Sequence, residues 1–90
     1  TFFAPDEETF ACFGACKRAI ARGGTVPAAV NGANEAAVAL FLEEKIGWFD
    51  IGEAVCAAAD TFPAQPVSDV SDVLEADRAA RAYVMEKFCR

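Results

Sequence analysis

The strongest pattern in the chain runs from Pro27 to Ile46, PAAVNGANEAAVALFLEEKI. Wound at 3.6 residues per turn, Val30, Ala33, Ala37 and Phe41 form one stripe. Val38 and Leu42 flank it on one side and Leu40 on the other. Glu35, Glu43 and Glu44 are the charges before Lys45. A helix this apolar around its circumference is predicted to be buried. Asn34 falls inside the stripe and Asn31 lies beside it, one turn earlier. A buried amide must find hydrogen-bond partners or lose about 1–3 kcal/mol. The pattern therefore predicts a core helix with a polar device built into it. Pro27 suits the first helical position. The alternative is an irregular entry, with regular helix starting near Asn31 or Asn34.

The rest of the chain falls into three further helices. The first runs from about Glu8 or Phe10 to Arg22, with Cys12, Phe13, Cys16, Ala19 and Ile20 on one face. Gly23 and Gly24 end it. Gly47 closes the central helix, and Trp48 and Phe49 make an aromatic corner. Asp50 then reads as the N-cap of a third helix whose inner face is Ile51, Ala54, Val55, Ala58, Ala59 and Phe62. Thr61, Phe62 and Pro63 end it, and residues 64–68 form the longest loop. Asp69 caps a fourth helix from Val70 to about Phe88, with Asp72 at the third helical position in a capping-box arrangement. Its apolar stripe is Val70, Val73, Leu74, Ala80, Val84 and Phe88. Asp77 and Arg81 lie in the middle of that stripe, four residues apart and able to meet. Thr1 to Pro5 reads as an extended lead-in. Short connections predict roughly antiparallel neighbours. The expected fold is all-α, a small four-helix bundle forming a single domain over residues 1–90.

Composition narrows the function. Ninety residues, 54% hydrophobic and 24% charged, make one small globular domain with a single core. A net charge of −6 argues against nucleic acid as a partner. No stretch is apolar enough to span a bilayer. No basic start resembles a signal peptide, and a beginning without methionine suits a piece of a longer protein. The four cysteines lack CxxC spacing and there is no histidine, so neither a zinc site nor a redox pair is indicated.

Four kinds of chemistry remain to be weighed. Metal binding in helical bundles draws on inward Glu-x-x-His pairs, which a chain without histidine cannot supply. Cys12 and Cys16 sit one turn apart on an apolar face and read as buried thiols, not as nucleophiles or a disulfide. Cys89, near the terminus, reads as the exposed cysteine. Gly23, Gly24 and Thr25 could present N–H groups to a phosphate, but they follow a helix without a P-loop lysine, so C-capping explains them better. Last, Asn31, Asn34, Asp77 and Arg81 could bind a phosphorylated substrate. Their positions inside apolar stripes favour a structural polar network that fixes helix register.

Three segments carry a family resemblance. NGANEAAVALFLEEKIGWFDI resembles the NAANE-x-AV-x-AFL-x-x-KI-x-F-x-DI segment of 1-deoxy-D-xylulose 5-phosphate reductoisomerases. DVLEADRAARAYV is similar to that family's D-V-L-x-x-D-x-x-A-R, and APDEETFACFGACKRAIARGG to its PD-x-x-x-F-x-C-L-x-L-A. Gly14 and Cys16 depart from the last pattern, and residues 63–67 match least. The resemblance implies the C-terminal helical domain of an enzyme that uses NADPH and a divalent metal, Mg²⁺ or Mn²⁺. That enzyme converts its substrate to 2-C-methyl-D-erythritol 4-phosphate in non-mevalonate isoprenoid synthesis. The family's cofactor, metal and substrate residues lie upstream of this region, so no catalytic, cofactor-binding or metal residue carries over. The implied role is architectural, packing on the catalytic domain of a homodimeric enzyme of the cytoplasm or a plastid. The competing reading is a free-standing acidic helical interaction module with no enzymatic parent.

Overall fold

In a computed structural model, the described residues are 14 and 17–88. Among them the chain is helical and has no strand. The described part of the first helix, α1, covers residues 17–22. It is followed by α2 (Val26–Leu42), α3 (Trp48–Thr61) and α4 (Val70–Phe88). The extended lead-in, Cys12, Cys16 and Cys89 lie outside the described residues.

The turn between α1 and α2 depends on glycine. Gly23 and Gly24 have φ of +74° and +59°, a region that costs other residues energy. A Cβ on Gly24 would also stand 2.3 Å from the backbone oxygen of Gln65. That contact belongs to a clasp. The Thr25 N–H donates to the Gln65 carbonyl at 3.0 Å. The Gln65 N–H donates to Thr25 Oγ1 at 3.2 Å, and that hydroxyl lies 3.5 Å from the Pro63 carbonyl it donates to. Thr25 is buried, so these bonds satisfy it. Arg22 Nη2 donates to the Ala59 carbonyl at 2.8 Å, capping an end of α3 whose carbonyls run short of partners. The α1–α2 and α3–α4 connections thus meet at one end of the molecule.

α2 is regular from its first turn. Val26 is the first helical residue and Pro27 the second, so the irregular entry is not taken. The helix stops at Leu42, earlier than expected. Glu44, with φ of +61°, takes the left-handed position. The Glu44 N–H then donates to Phe41 and the Lys45 N–H to Leu40, both at 2.9 Å. This is a Schellman stop built on glutamate in the place of glycine. The next glycine, Gly47, instead precedes α3. Asp50 is the third residue of α3, not its cap, and accepts the Gly47 N–H at 2.8 Å. Trp48 and Phe49 are therefore the first two helical residues, not a loop corner. α4 starts as expected: Asp69 Oδ1 accepts the Val70 N–H, and Asp72 Oδ2 accepts the N–H groups of Ser68 and Asp69.

α2 and α3 are antiparallel. The Phe41 and Trp48 rings meet edge-on at 5.6 Å beside their connection, and Val26 and Val30 pack with Ala59 and Val55 at the other end. α2 and α4 run in the same direction, because Gly32 abuts Asp77 and Glu35 meets Arg81. A Cβ on Gly32 would stand 2.8 Å from the Asp77 carbonyl oxygen. This is where NGANE departs from NAANE, and the two backbones approach closely there.

Most of the described core is alanine: Ala29, Ala33, Ala36, Ala37, Ala54, Ala58 and Ala80, with Leu40 and Val84 the larger members. Small side chains let helices come close, but each removes little apolar area from water. The buried arc of α2 centres on Ala33, Ala36, Ala37 and Leu40. Leu42 is 73% exposed, and both Asn31 and Asn34 face solvent, which corrects their expected burial. The physical reason is that Ala36 and Gly32, not Asn34, face α4. In α4 the expected stripe is likewise turned outward over its first two turns. Val70 and Leu74 are exposed, while Ala80 and Val84 are buried.

Candidate functional site

α2 and α4 meet along a polar seam. Arg81 Nε donates to Asp77 Oδ2 at 2.8 Å, one turn back on the same helix. Arg81 Nη2 donates to Glu35 Oε1 across the seam. The hydrogen bond that Arg81 donates to Asp77, and after it the one to Glu35, raises the Arg81 pKa above its ordinary value. The pair is not buried as expected: the side chains of Arg81 and Asp77 are 42% and 31% exposed. Among the described residues no hydrogen bond joins Asn31 or Asn34 to either. Glu35 supplies the additional partner that the asparagines were expected to provide. Two carboxylates against one guanidinium leave the seam with net negative charge, which does not suit it to hold a phosphate.

Sequence reasoning passed over Glu35 because it sits on the polar side of α2. Gly32, three residues earlier and so on the adjoining surface of the helix, abuts Asp77 of α4 and marks the side of α2 that Glu35 borders. One turn N-terminal to Arg81, Arg78 pairs with Glu75 in full exposure. The hydrogen bond from Arg78 holds the Glu75 carboxyl below its usual range. Any stability this gives is present above the ordinary carboxylate pKa and is lost as pH falls through the lowered value.

A cleft of about 190 Å³ lies at the Thr25 end, between Thr25, Ala29, Phe62, Gln65, Asp72 and Glu75. It is smaller than the ~300–1,000 Å³ of typical small-molecule sites. Its polar groups already have structural duties. Thr25 and Gln65 form the clasp, Asp72 caps α4, and Glu75 pairs with Arg78. The glycine pair is a turn and not a phosphate nest, since the Gln65 backbone occupies the space over Gly24. Among the described residues no group of three or more His, Cys, Asp or Glu side chains is placed to hold a metal.

Cys56 is half-buried on α3 and disulfide-bonded. Searching for CxxC spacing could not reveal it, because a disulfide requires closeness in the fold and not in sequence.

The geometry therefore defines a class, an alanine-cored helical domain. A family model described as "DXP reductoisomerase C-terminal domain" matches residues 1–83. The chain belongs to that family. A 1-deoxy-D-xylulose 5-phosphate reductoisomerase of Acetivibrio thermocellus is 44% identical over 86 residues, covering 96% of this chain and 23% of that protein. One from Paraburkholderia xenovorans is 41% identical over 90 residues, covering 100% and 22%. One from Chloroherpeton thalassium is 38% identical over 86 residues, covering 96% and 22%. This chain thus spans under a quarter of the length of these curated relatives. No solved structure matches it.

Proposed function

We propose that this chain is the C-terminal supporting domain of a 1-deoxy-D-xylulose 5-phosphate reductoisomerase. It packs on the catalytic domain and carries none of the chemistry itself. In this reading the whole enzyme reduces and rearranges its substrate with NADPH and Mg²⁺ or Mn²⁺. It works as a homodimer in the cytoplasm or a plastid. The observation that carries the proposal is the family match over residues 1–83. That match takes in the described helices almost to the end of α4, and it favours this reading over a free-standing interaction module. Among the described residues no helix is long and apolar enough to cross a membrane.

The described residues do not fit either the cofactor or the metal. Arg81 is already matched by two carboxylates, and Asp50 and Asp72 are spent on helix starts. The placement of apolar residues supports a packing role. Alanines fill the described core, while Leu42, Trp48, Phe49, Val70 and Leu74 stand outside it. A domain that buries its small apolar residues and exposes its large ones has surface left to cover.

The test is a domain exchange. This chain replaces the matching region of the A. thermocellus relative, and reductoisomerase turnover is assayed beside the same enzyme lacking that region. Activity restored by the chain is expected. An exchanged enzyme no more active than the truncated one would contradict the proposal.

A further inference from the structure

Gly32 stands where the family pattern has alanine, and it creates the dipeptide Asn31–Gly32. The fold gives the two residues opposite settings. Asn31 is exposed on α2, so water reaches its side-chain amide. Gly32 is buried against the Asp77 backbone, so near that a Cβ would lie 2.8 Å from the Asp77 carbonyl oxygen and 3.2 Å from its Cα. Both residues lie inside α2, more than a turn from either end. Helical geometry there commits the Gly32 N–H to the carbonyl one turn back. Before a glycine, an asparagine amide is most open to attack by the next backbone nitrogen. No Cβ stands in the way, and the glycine backbone turns freely. In this fold that freedom is withheld twice, by the helix and by α4.

We propose that Asn31–Gly32 is a deamidation site that α2 and α4 hold shut, and that it reacts when the α2–α4 seam opens. In the open chain the Gly32 nitrogen attacks Cγ of Asn31. The new C–N bond closes a succinimide ring. The Asn31 side-chain nitrogen leaves as ammonia, taking the proton that the Gly32 nitrogen gives up. Water then adds to either ring carbonyl and leaves aspartate or isoaspartate at position 31. Nothing is oxidised or reduced. The chemistry is slow beside opening and closing, so its rate follows the population of the open state. It is also one-way. Isoaspartate routes the main chain through its side chain, one carbon longer, and so breaks the helical register between Val30 and Gly32. Gly32 then no longer meets Asp77, and Ala33, Ala36 and Ala37 lose their common placement in the core. The aspartate product instead sets a carboxylate one turn from Glu35, a repulsive spacing on a helix.

The test is incubation of the chain in buffer and in denaturing urea, at one pH and temperature. Peptides are then quantified by mass spectrometry after separation of the aspartate and isoaspartate forms. Conversion at Asn31 is expected to be at least about tenfold faster in urea, with both products present. Asn34, also exposed but followed by Glu35, is the internal control and is expected to change little in either condition. Equal rates at Asn31 in buffer and in urea, or no conversion in urea, would overturn the proposal. Val84→Ala removes volume from the buried surface of α4. It is expected to speed the conversion in buffer by about threefold or more, whether it loosens the seam or unfolds the chain. A Val84→Ala chain that melts earlier yet converts Asn31 no faster would also overturn the proposal. Finally, the isoaspartate form is isolated and melted. A midpoint below that of the parent chain is expected, and an unchanged one would contradict the break in register. Asn31→Gln keeps an exposed amide that cyclises far more slowly, so it is expected to hold its midpoint through an incubation that lowers the parent's. Equal loss in both would place the damage at another residue.

Discussion

Arg81 shows how much one residue's surroundings change its energetic weight. Buried with Asp77 alone, it would cost about 3–5 kcal/mol to break the pair, because one uncompensated charge would remain. Half-exposed and shared between Asp77 and Glu35, it sits where water can take over either partner's role. In a double-mutant cycle on Asp77→Asn and Arg81→Leu, each single change is therefore expected to cost under about 1 kcal/mol in denaturant melts. A cost above about 3 kcal/mol would mean the seam is closed to water. Glu44 is a second residue-scale case. It holds a left-handed conformation that costs a non-glycine residue about 1–2 kcal/mol. Glycine relieves this but loosens the unfolded chain by about 0.4–1 kcal/mol. Glu44→Gly is expected to stabilise the domain by about 0.5–1 kcal/mol, read as a raised melting midpoint. An unchanged or lowered midpoint would show that the α2 stop is not strained.

Among the elements, what local chemistry dictates was legible and what neighbours dictate was not. The span of α4 could be read because Asp69 and Asp72 bond to the backbone within its own first turn. The end of α2 could not, because the stop depends on Glu44 tolerating a position where glycine is the usual signal. The direction in which each helix faces was harder still. On α2 the apolar surface is so broad that several rotations bury a similar area, and the contact of Gly32 with Asp77 selects one of them. Asn34 was lost from the core by that rotation, and Glu35 entered the seam by it. On α4, Val70 and Leu74 read as core because they are apolar, yet the inner helices turn alanines toward each other and leave them outside. The Thr25–Gln65 clasp was not legible at all, since it joins residues forty positions apart. Its sharpest test is Gly24→Ala. The new Cβ would meet backbone and would occupy a disfavoured φ, so a loss of about 2 kcal/mol or more is expected in thermal or chemical melts. A loss under about 0.5 kcal/mol would mean that the turn can move away from Gln65 freely.

For the whole molecule, the distribution of side-chain size points outward. The described core is built largely of alanines, and a small domain of this kind is marginal unless further surface is covered. Family membership supplies a reason, because the relatives carry this region as less than a quarter of a larger enzyme. In the proposed role the domain gives support and leaves the cofactor to the rest of that enzyme. The most direct measurement is calorimetric titration of NADPH into the isolated chain, with the exchanged enzyme as the positive control. Saturable heat is expected from the exchanged enzyme and none from the chain alone. Saturable binding by the isolated chain at micromolar concentration would contradict it.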